Sequence, residues 1–318
     1  MKKYRAMLVG NGTMGKRHRT RFEAVGVDFV RVVDEQDDFL NLHDPFPSED
    51  LDFAVIASPA RTHYAYAKFF LERKIPVFVE KPLATTAAEA QELVDLAASA
   101  GVTLFVAQSE CFNPIFLNFR KHFLRELELF RAHAGCANEP PEMANGACAD
   151  SACACACDGV RLEFRREHGH SERCRDVDVS LDLLVHDLSM FLSMFRMSDV
   201  RVVRRDLRAD VAVLRLLVAG GPYAGVVADF YADRESPRDV RTISVTHPKA
   251  SGLPEGAAAP ASEYSVSLVH YDEAGNVAHI PDSLDNEHRF FLKLLAGACG
   301  EWANRAARAA ADVIFILH

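Results

Sequence analysis

No apolar run in the 318-residue sequence approaches the length needed to cross a bilayer, so a membrane-spanning helix is not expected. Positive charge is in deficit: 36 Lys and Arg face 45 Asp and Glu, a formal charge of −9. That balance argues against nucleic acid as the main partner. The start, Met1-Lys2-Lys3-Tyr4, leads into a strand and lacks the pattern of a secretory signal, which sets a cytoplasmic expectation. Without such a signal, the eight cysteines are expected as free thiols. No internal repeat is found. The length is sufficient for two domains.

What is present begins with a strand over Tyr4 to Val9, followed at once by Gly10-Asn11-Gly12-Thr13-Met14-Gly15 and a helical stretch from Lys16. This is G-x-G-x-x-G in a strand–turn–helix context. Gly10 permits the tight turn, Gly12 lets backbone approach a pyrophosphate, and Gly15 lets helix and strand pack closely. The helix N-terminus faces the anion. A second strand ends in Asp34, where an acid can accept from both ribose hydroxyls and repel a 2′-phosphate. No Lys or Arg follows at once, so NAD is expected over NADP.

Further apolar runs at Phe53–Ala57, Ile75–Val79 and Val102–Ala107 alternate with helical stretches from His63 and Ala87, which predicts a parallel sheet with right-handed crossovers. Ligands bind beyond the carboxyl ends of such strands. Ser58, Pro59, Glu80, Lys81 and Gln108 fall there. A helix is expected over Ile115 to about Ala132. From Val200 to Pro281 the pattern is strand after strand, a mostly antiparallel sheet with turns at Gly220-Gly221 and Gly275-Asn276, and helices over Asn286–Ala298 and Ala303–Leu317 close the chain. The expected fold is thus an α/β dinucleotide-binding domain over residues 1–115 and an α+β substrate and oligomerisation domain over 116–318. The C-terminal helices are free to pack back on the first domain.

Residues 134–158 read as an inserted Ala-rich loop with Cys136, Cys148, Cys153, Cys155 and Cys157. Structural metal sites favour cysteines paired two to four residues apart. The single-residue spacings here fit that poorly, so no metal is expected.

Val179–Met194 reads as a helix carrying Asp182 and His186 four residues apart, hence on one face. The carboxylate could orient the imidazole, which exchanges a proton near neutral pH. Alone, His186 reads as a satisfied buried histidine, and Lys81 as a surface lysine. Together, at these topological positions, they make a catalytic candidate.

These residues resemble the Gfo/Idh/MocA oxidoreductase family. The resemblance rests on the glycine turn, Ser58-Pro59 with His63, Glu80-Lys81-Pro82, Asp182-x-x-x-His186 and the domain order. It implies hydride transfer between nicotinamide and a sugar-like hydroxyl, with Lys81, Asp182 and His186 as the catalytic set. It also implies cofactor contacts from Gly10 to Gly15 and at Asp34, Ser58, Pro59, His63, Glu80, Lys81 and Gln108. A cis bond before Pro82 and a homodimer or homotetramer through the outer sheet face follow from the same resemblance. Arg161 and Arg175 lie in segments similar to those of UDP-N-acetylglucosamine 3-dehydrogenases, although a charged strand face and loop is the plainer reading. With Lys81, Asn113 and His186 they form the expected substrate set. Two features depart from the family: no arginine occurs in Ser109–Pro114, and the cysteine-rich insertion is foreign to it. A non-catalytic NAD(H) sensor or scaffold is the alternative expectation.

Overall fold

The computed structural model describes residues 3–34, 51–133, 157–169, 176–247, 263–269, 283–297 and 300–318. Arg175, most of the cysteine-rich insertion and the Gly275-Asn276 turn lie outside these residues.

The chain forms two compact units, each discontinuous in sequence. The first gathers residues 1–112, 172–189 and 281–318, and the second 113–171 and 190–280.

The first unit is a five-stranded parallel sheet: β1 (Tyr4–Val9), β2 (Val27–Val33), β3 (Phe53–Ile56), β4 (Val77–Glu80) and β5 (Leu104–Ala107), in the order β2-β1-β3-β4-β5. β3, β4 and β5 are buried at every residue. That is why they read as continuous apolar runs, since a parallel sheet is covered on both faces. The helices are α1 (Thr13–Ala24), α2 (His63–Glu72) and α3 (Ala87–Ala100), joined by α6 (Ser283–Leu295) and α7 (Gly300–Leu317). Phe22 of α1 and Phe291 of α6 pack on Leu8, Phe53, Val55, Phe78 and Phe105 in one core. α2 covers β3 and β4, α7 covers β5, and α3 packs between α2 and α7. Helix ends carry ordinary signals: the Thr86 side chain accepts from the Glu89 N–H, and Gly101, at φ +69°, closes α3 in the left-handed region.

The second unit is a six-stranded sheet in the order β11-β10-β6-β9-β8-β7. Its strands are β6 (Arg161–Glu167), β7 (Val200–Leu207), β8 (Val211–Val218), β9 (Val227–Asp233), β10 (Val240–Thr246) and β11 (Glu263–Ser267). All neighbours are antiparallel except β6 with β9. β8 and β9 alternate strictly. Ala212, Leu214, Leu216, Ala228 and Phe230 are buried, and Phe230 stacks on Phe164 of β6 at 4.8 Å. α4 (Pro114–His133) joins this unit through β11. No described helix is long and apolar enough to cross a membrane.

The stretch expected as one helix from Val179 is two pieces. Ser180–Leu184 is a π-helical turn, and α5 runs Val185–Leu192. The Asp178 carboxylate accepts from the N–H groups of Ser180 and Leu181, which starts the turn.

Candidate active site

The carboxyl ends of β1, β3, β4 and β5 carry the site. Gly10 sits at φ +91°, and a Cβ there would meet the Ala57 carbonyl and Ser58 nitrogen at 2.6 Å. A Cβ on Gly15 would lie 1.9 Å from the Gly10 carbonyl oxygen. Both positions therefore require glycine for packing within the protein. Gly12 differs, because a Cβ there meets nothing within 4 Å. It is the N-cap of α1, and no side chain caps the first turn. The space beside Gly12 is thus open at a positive helix end, which favours an anion. Asn11, Thr13 and Met14 are at least partly exposed around it, and Asp34 is exposed just past β2.

After β3, Thr62 Oγ1 donates to the Pro59 carbonyl at 2.7 Å, so Ser58 Oγ donates to Thr62 Oγ1 at 2.7 Å. His63 lies 2.7 Å from the Pro82 carbonyl through Nδ1 and 2.9 Å from the Ser58 carbonyl through Nε2. Burial pushes His63 below its ordinary value, against the pull of both carbonyls. Its ring lies between the loop after β3 and the loop after β4 and, as a neutral imidazole, donates to one of the two carbonyls. Glu80 is also turned inward: one oxygen meets His18 and the other accepts the Lys81 backbone N–H at 3.0 Å. The side chains of His63 and Glu80 thus shape the loops, and their polar atoms are already engaged. Gln108 keeps a buried Oε1 with no hydrogen-bond partner among the described residues, at the end of β5.

Lys81 begins the cis Lys81–Pro82 bond. Its ammonium donates to the Asp182 carbonyl at 2.6 Å and to Asp182 Oδ1 at 2.9 Å. The two side chains are 13 % and 14 % exposed. An ammonium has three donors, and the third N–H of Lys81 meets no partner among the described residues. The structure therefore joins Asp182 to Lys81, whereas the i, i+4 spacing suggested a pairing of Asp182 with His186. His186 follows in the first turn of α5, half-buried.

Of the remaining expected substrate residues, Asn113 and Arg161 belong to the second unit. Asn113 is buried: its Oδ1 accepts from the Ile115 N–H at 3.0 Å and its Nδ2 donates to the Leu268 carbonyl at 3.2 Å. It caps α4, a role the Asn-Pro pair could have signalled. Arg161 is exposed at the start of β6. Sequence reasoning missed His18 and His288, which bond to each other at 2.7 Å in the first unit's interior. His18 falls three residues after Gly15, one turn into α1, and that helical spacing was the available signal.

Residues 13–108 match a family described as an oxidoreductase family with an NAD-binding Rossmann fold. The chain is 37 % identical over 92 residues to the uncharacterized oxidoreductase YhhX of Escherichia coli, covering 29 % of this chain and 25 % of that protein. It is 32 % identical over 134 residues to inositol 2-dehydrogenase of Acidothermus cellulolyticus, covering 36 % and 38 %. The matches thus span well under half the length of these curated relatives. In fold the chain is similar to UDP-N-acetylglucosamine 3-dehydrogenase GnnA from Acidithiobacillus ferrooxidans, at 22 % identity, TM-score 0.62 and full coverage of both chains. Residues 13–108 thus match the NAD-binding Rossmann domain of the Gfo/Idh/MocA oxidoreductases.

Proposed function

We propose that the protein is an NAD-dependent dehydrogenase acting on a secondary hydroxyl of a sugar, cyclitol or nucleotide sugar. The observation that carries this reading is Lys81. Two of its N–H groups are anchored on Asp182 and the third meets no partner among the described residues, at the carboxyl edge of the parallel sheet. The open glycine turn and the orphaned Gln108 oxygen at the same edge support a bound dinucleotide there.

When bound, NAD supplies the hydride acceptor. The backbone of Gly10–Gly15 and the first turn of α1 would hold its pyrophosphate, and Asp34 its ribose. Lys81 would give its third N–H to the substrate oxygen and stabilise the charge gathering on it. His186 would take the hydroxyl proton, as an imidazole can near neutral pH. Asp182 would keep the ammonium aimed rather than orient the imidazole.

Among substrates, the identity to an inositol 2-dehydrogenase supports a cyclitol, and the fold likeness to GnnA supports a nucleotide sugar. Arg161, exposed on β6, is available for a phosphate of the latter. We infer a homo-oligomer through the half-exposed face of the second sheet. There Arg215 pairs with Asp229 at 2.6 Å, Arg165 lies over the Tyr231 ring at 4.6 Å, and Val203 of β7 is 53 % exposed. The test is NADH formation with myo-inositol, scyllo-inositol, UDP-glucose and UDP-N-acetylglucosamine. Tight NAD binding with no NADH formed from any of them would move the reading to a sensor or scaffold.

A further inference from the structure

Behind Lys81 the first unit buries a chain of titratable groups that the proposed chemistry does not use. Glu80 Oε1 lies 2.7 Å from His18 Nε2, and His18 Nδ1 lies 2.7 Å from His288 Nε2. The second Glu80 oxygen accepts the Lys81 backbone N–H at 3.0 Å. His18, His288 and Glu80 are 0 %, 1 % and 8 % exposed. The two rings sit among phenylalanines, with His288 4.0 Å from Phe22 and 5.5 Å from Phe78 between ring centres. The three groups come from α1, the end of β4 and α6, so only the folded unit assembles them.

The acceptors decide where the hydrogens sit. Burial pushes the Glu80 carboxyl up, but the His18 hydrogen bond and the charge of Lys81 hold Glu80 below the usual carboxylate range. An ionised carboxylate only accepts, so His18 Nε2 carries a hydrogen. With the fewest buried charges, His18 Nδ1 is then a lone pair, and Nε2–H of His288 fills it. His288 Nδ1, left bare, has no hydrogen-bond partner among the described residues. Burial above all pushes His288 well below its ordinary value, so it stays neutral as this scheme requires. Hydrogen bonds thus run from His288 to His18 to Glu80, where they meet the Lys81 amide coming from the other side.

We propose that His288 is a positioning residue for Lys81. By donating to His18 it fixes that ring in the Nε2–H form, and the ring in turn holds the Glu80 carboxylate where it accepts the Lys81 amide. The proposal rests on the reading of Lys81 as the donor to the substrate oxygen. Release of this amide lets the peptide after β4 turn, and the ammonium leaves its aim. Misplacement by about 1 Å can reduce a rate by roughly 10²-fold.

The full-length protein tests this with two substitutions. His288→Phe keeps an aromatic ring among Phe22, Phe78 and Phe291 but donates nothing, whereas His288→Gln keeps an N–H within reach of His18. His288→Phe is expected to bind NAD as the parent does, with KM within about twofold and kcat lowered about tenfold to 10²-fold. His288→Gln is expected to recover most of that loss. A purely structural role predicts the reverse order, since Phe packs better than Gln in this surround. Spectra of ¹⁵N-histidine-labelled parent are expected to show His18 neutral and protonated at Nε2. A His18 imidazolium or an Nδ1–H form overturns the proposal without any variant, and so does parent kcat in His288→Phe. If the parent transfers hydride to no substrate, the dehydrogenase reading falls by itself. The Lys81 amide resonance then decides, because it must shift in His288→Phe and in His288→Gln must stay near its parent position. An unmoved amide in the former overturns the relay.

Discussion

The ammonium of Lys81 holds two oxygens of Asp182, the carbonyl at 2.6 Å and Oδ1 at 2.9 Å, across 101 positions of sequence. The carbonyl belongs to a π-helical turn, a distortion common at functional sites. Lys81→Met removes the donor aimed at the substrate oxygen. Loss of one such donor lowers kcat by about 10²–10³-fold. Steady-state kinetics with fluorescence titration of NADH should find that loss with cofactor affinity within about twofold. Parent kcat in Lys81→Met would remove the lysine from the chemistry.

His186→Asn retains a polar side chain on α5 but no group that titrates near pH 7. General-base help is worth about 10²–10⁴-fold, and the drop in kcat should fall in that range. The acidic limb of the pH–rate profile, which the imidazole would create, should flatten in the variant. A variant that keeps both the rate and the limb excludes His186 as the base.

Gly12 and Gly15 separate packing from binding. At Gly15 a Cβ collides with the Gly10 carbonyl oxygen at 1.9 Å, so Gly15→Ala should lower the melting temperature or abolish soluble protein. At Gly12 the same methyl enters open space. Gly12→Ala should fold as the parent does and lose at least tenfold in NAD affinity, read by titration, about 1.4 kcal/mol. Parent-like NAD affinity there would place the pyrophosphate elsewhere.

Buried histidines make stability depend on pH. Burial lowers both His63 and His288. An unfolded histidine titrates near about 6.5. Below that value the unfolded chain takes up protons that the native state refuses, so stability falls on acidification. Each histidine adds a slope of up to about 1.4 kcal/mol per pH unit. Glu80 acts later: its stabilisation is present above the unfolded value of about 4.3 and is lost as pH falls through its lower folded value. Urea unfolding at pH 7.5, 6.5 and 5.5 should show the decline, and His288→Phe should remove one histidine's share. Equal unfolding free energies at all three values would contradict the neutral burial of these rings.

Val203, 53 % exposed on β7, lies on the face inferred to meet a second copy. Val203→Asp places a charge there and should shift the parent oligomer toward monomer in light scattering, with the monomer still folded by circular dichroism. A monomeric parent would dispose of the interface.

Much of the parallel sheet was legible because β3, β4 and β5 are buried on both faces and read as continuous apolar runs. β3, Phe53-Ala54-Val55-Ile56, is an example. The antiparallel sheet was legible from alternation, as in β8. The pairing of Lys81 with Asp182 was not. Helical spacing relates Asp182 to His186, and no local pattern marks the π turn that presents the Asp182 carbonyl to a lysine far away in sequence. His18 and His288 escaped for a similar reason: each looks like an ordinary helical histidine until the fold brings them together across 270 positions. Asn113 was expected in the substrate set from the resemblance; in the structure its Oδ1 caps α4 and its Nδ2 donates to the Leu268 carbonyl.

Phe291 of α6 fills the centre of the core that Phe22, Phe53, Phe78 and Phe105 line. During synthesis those four aromatic rings leave the ribosome long before the ring that completes them. The nucleotide-binding half is thus the first to be translated and the last to be sealed. A fragment that stops at residue 112 should therefore behave as an aggregating intermediate and not as a free-standing domain.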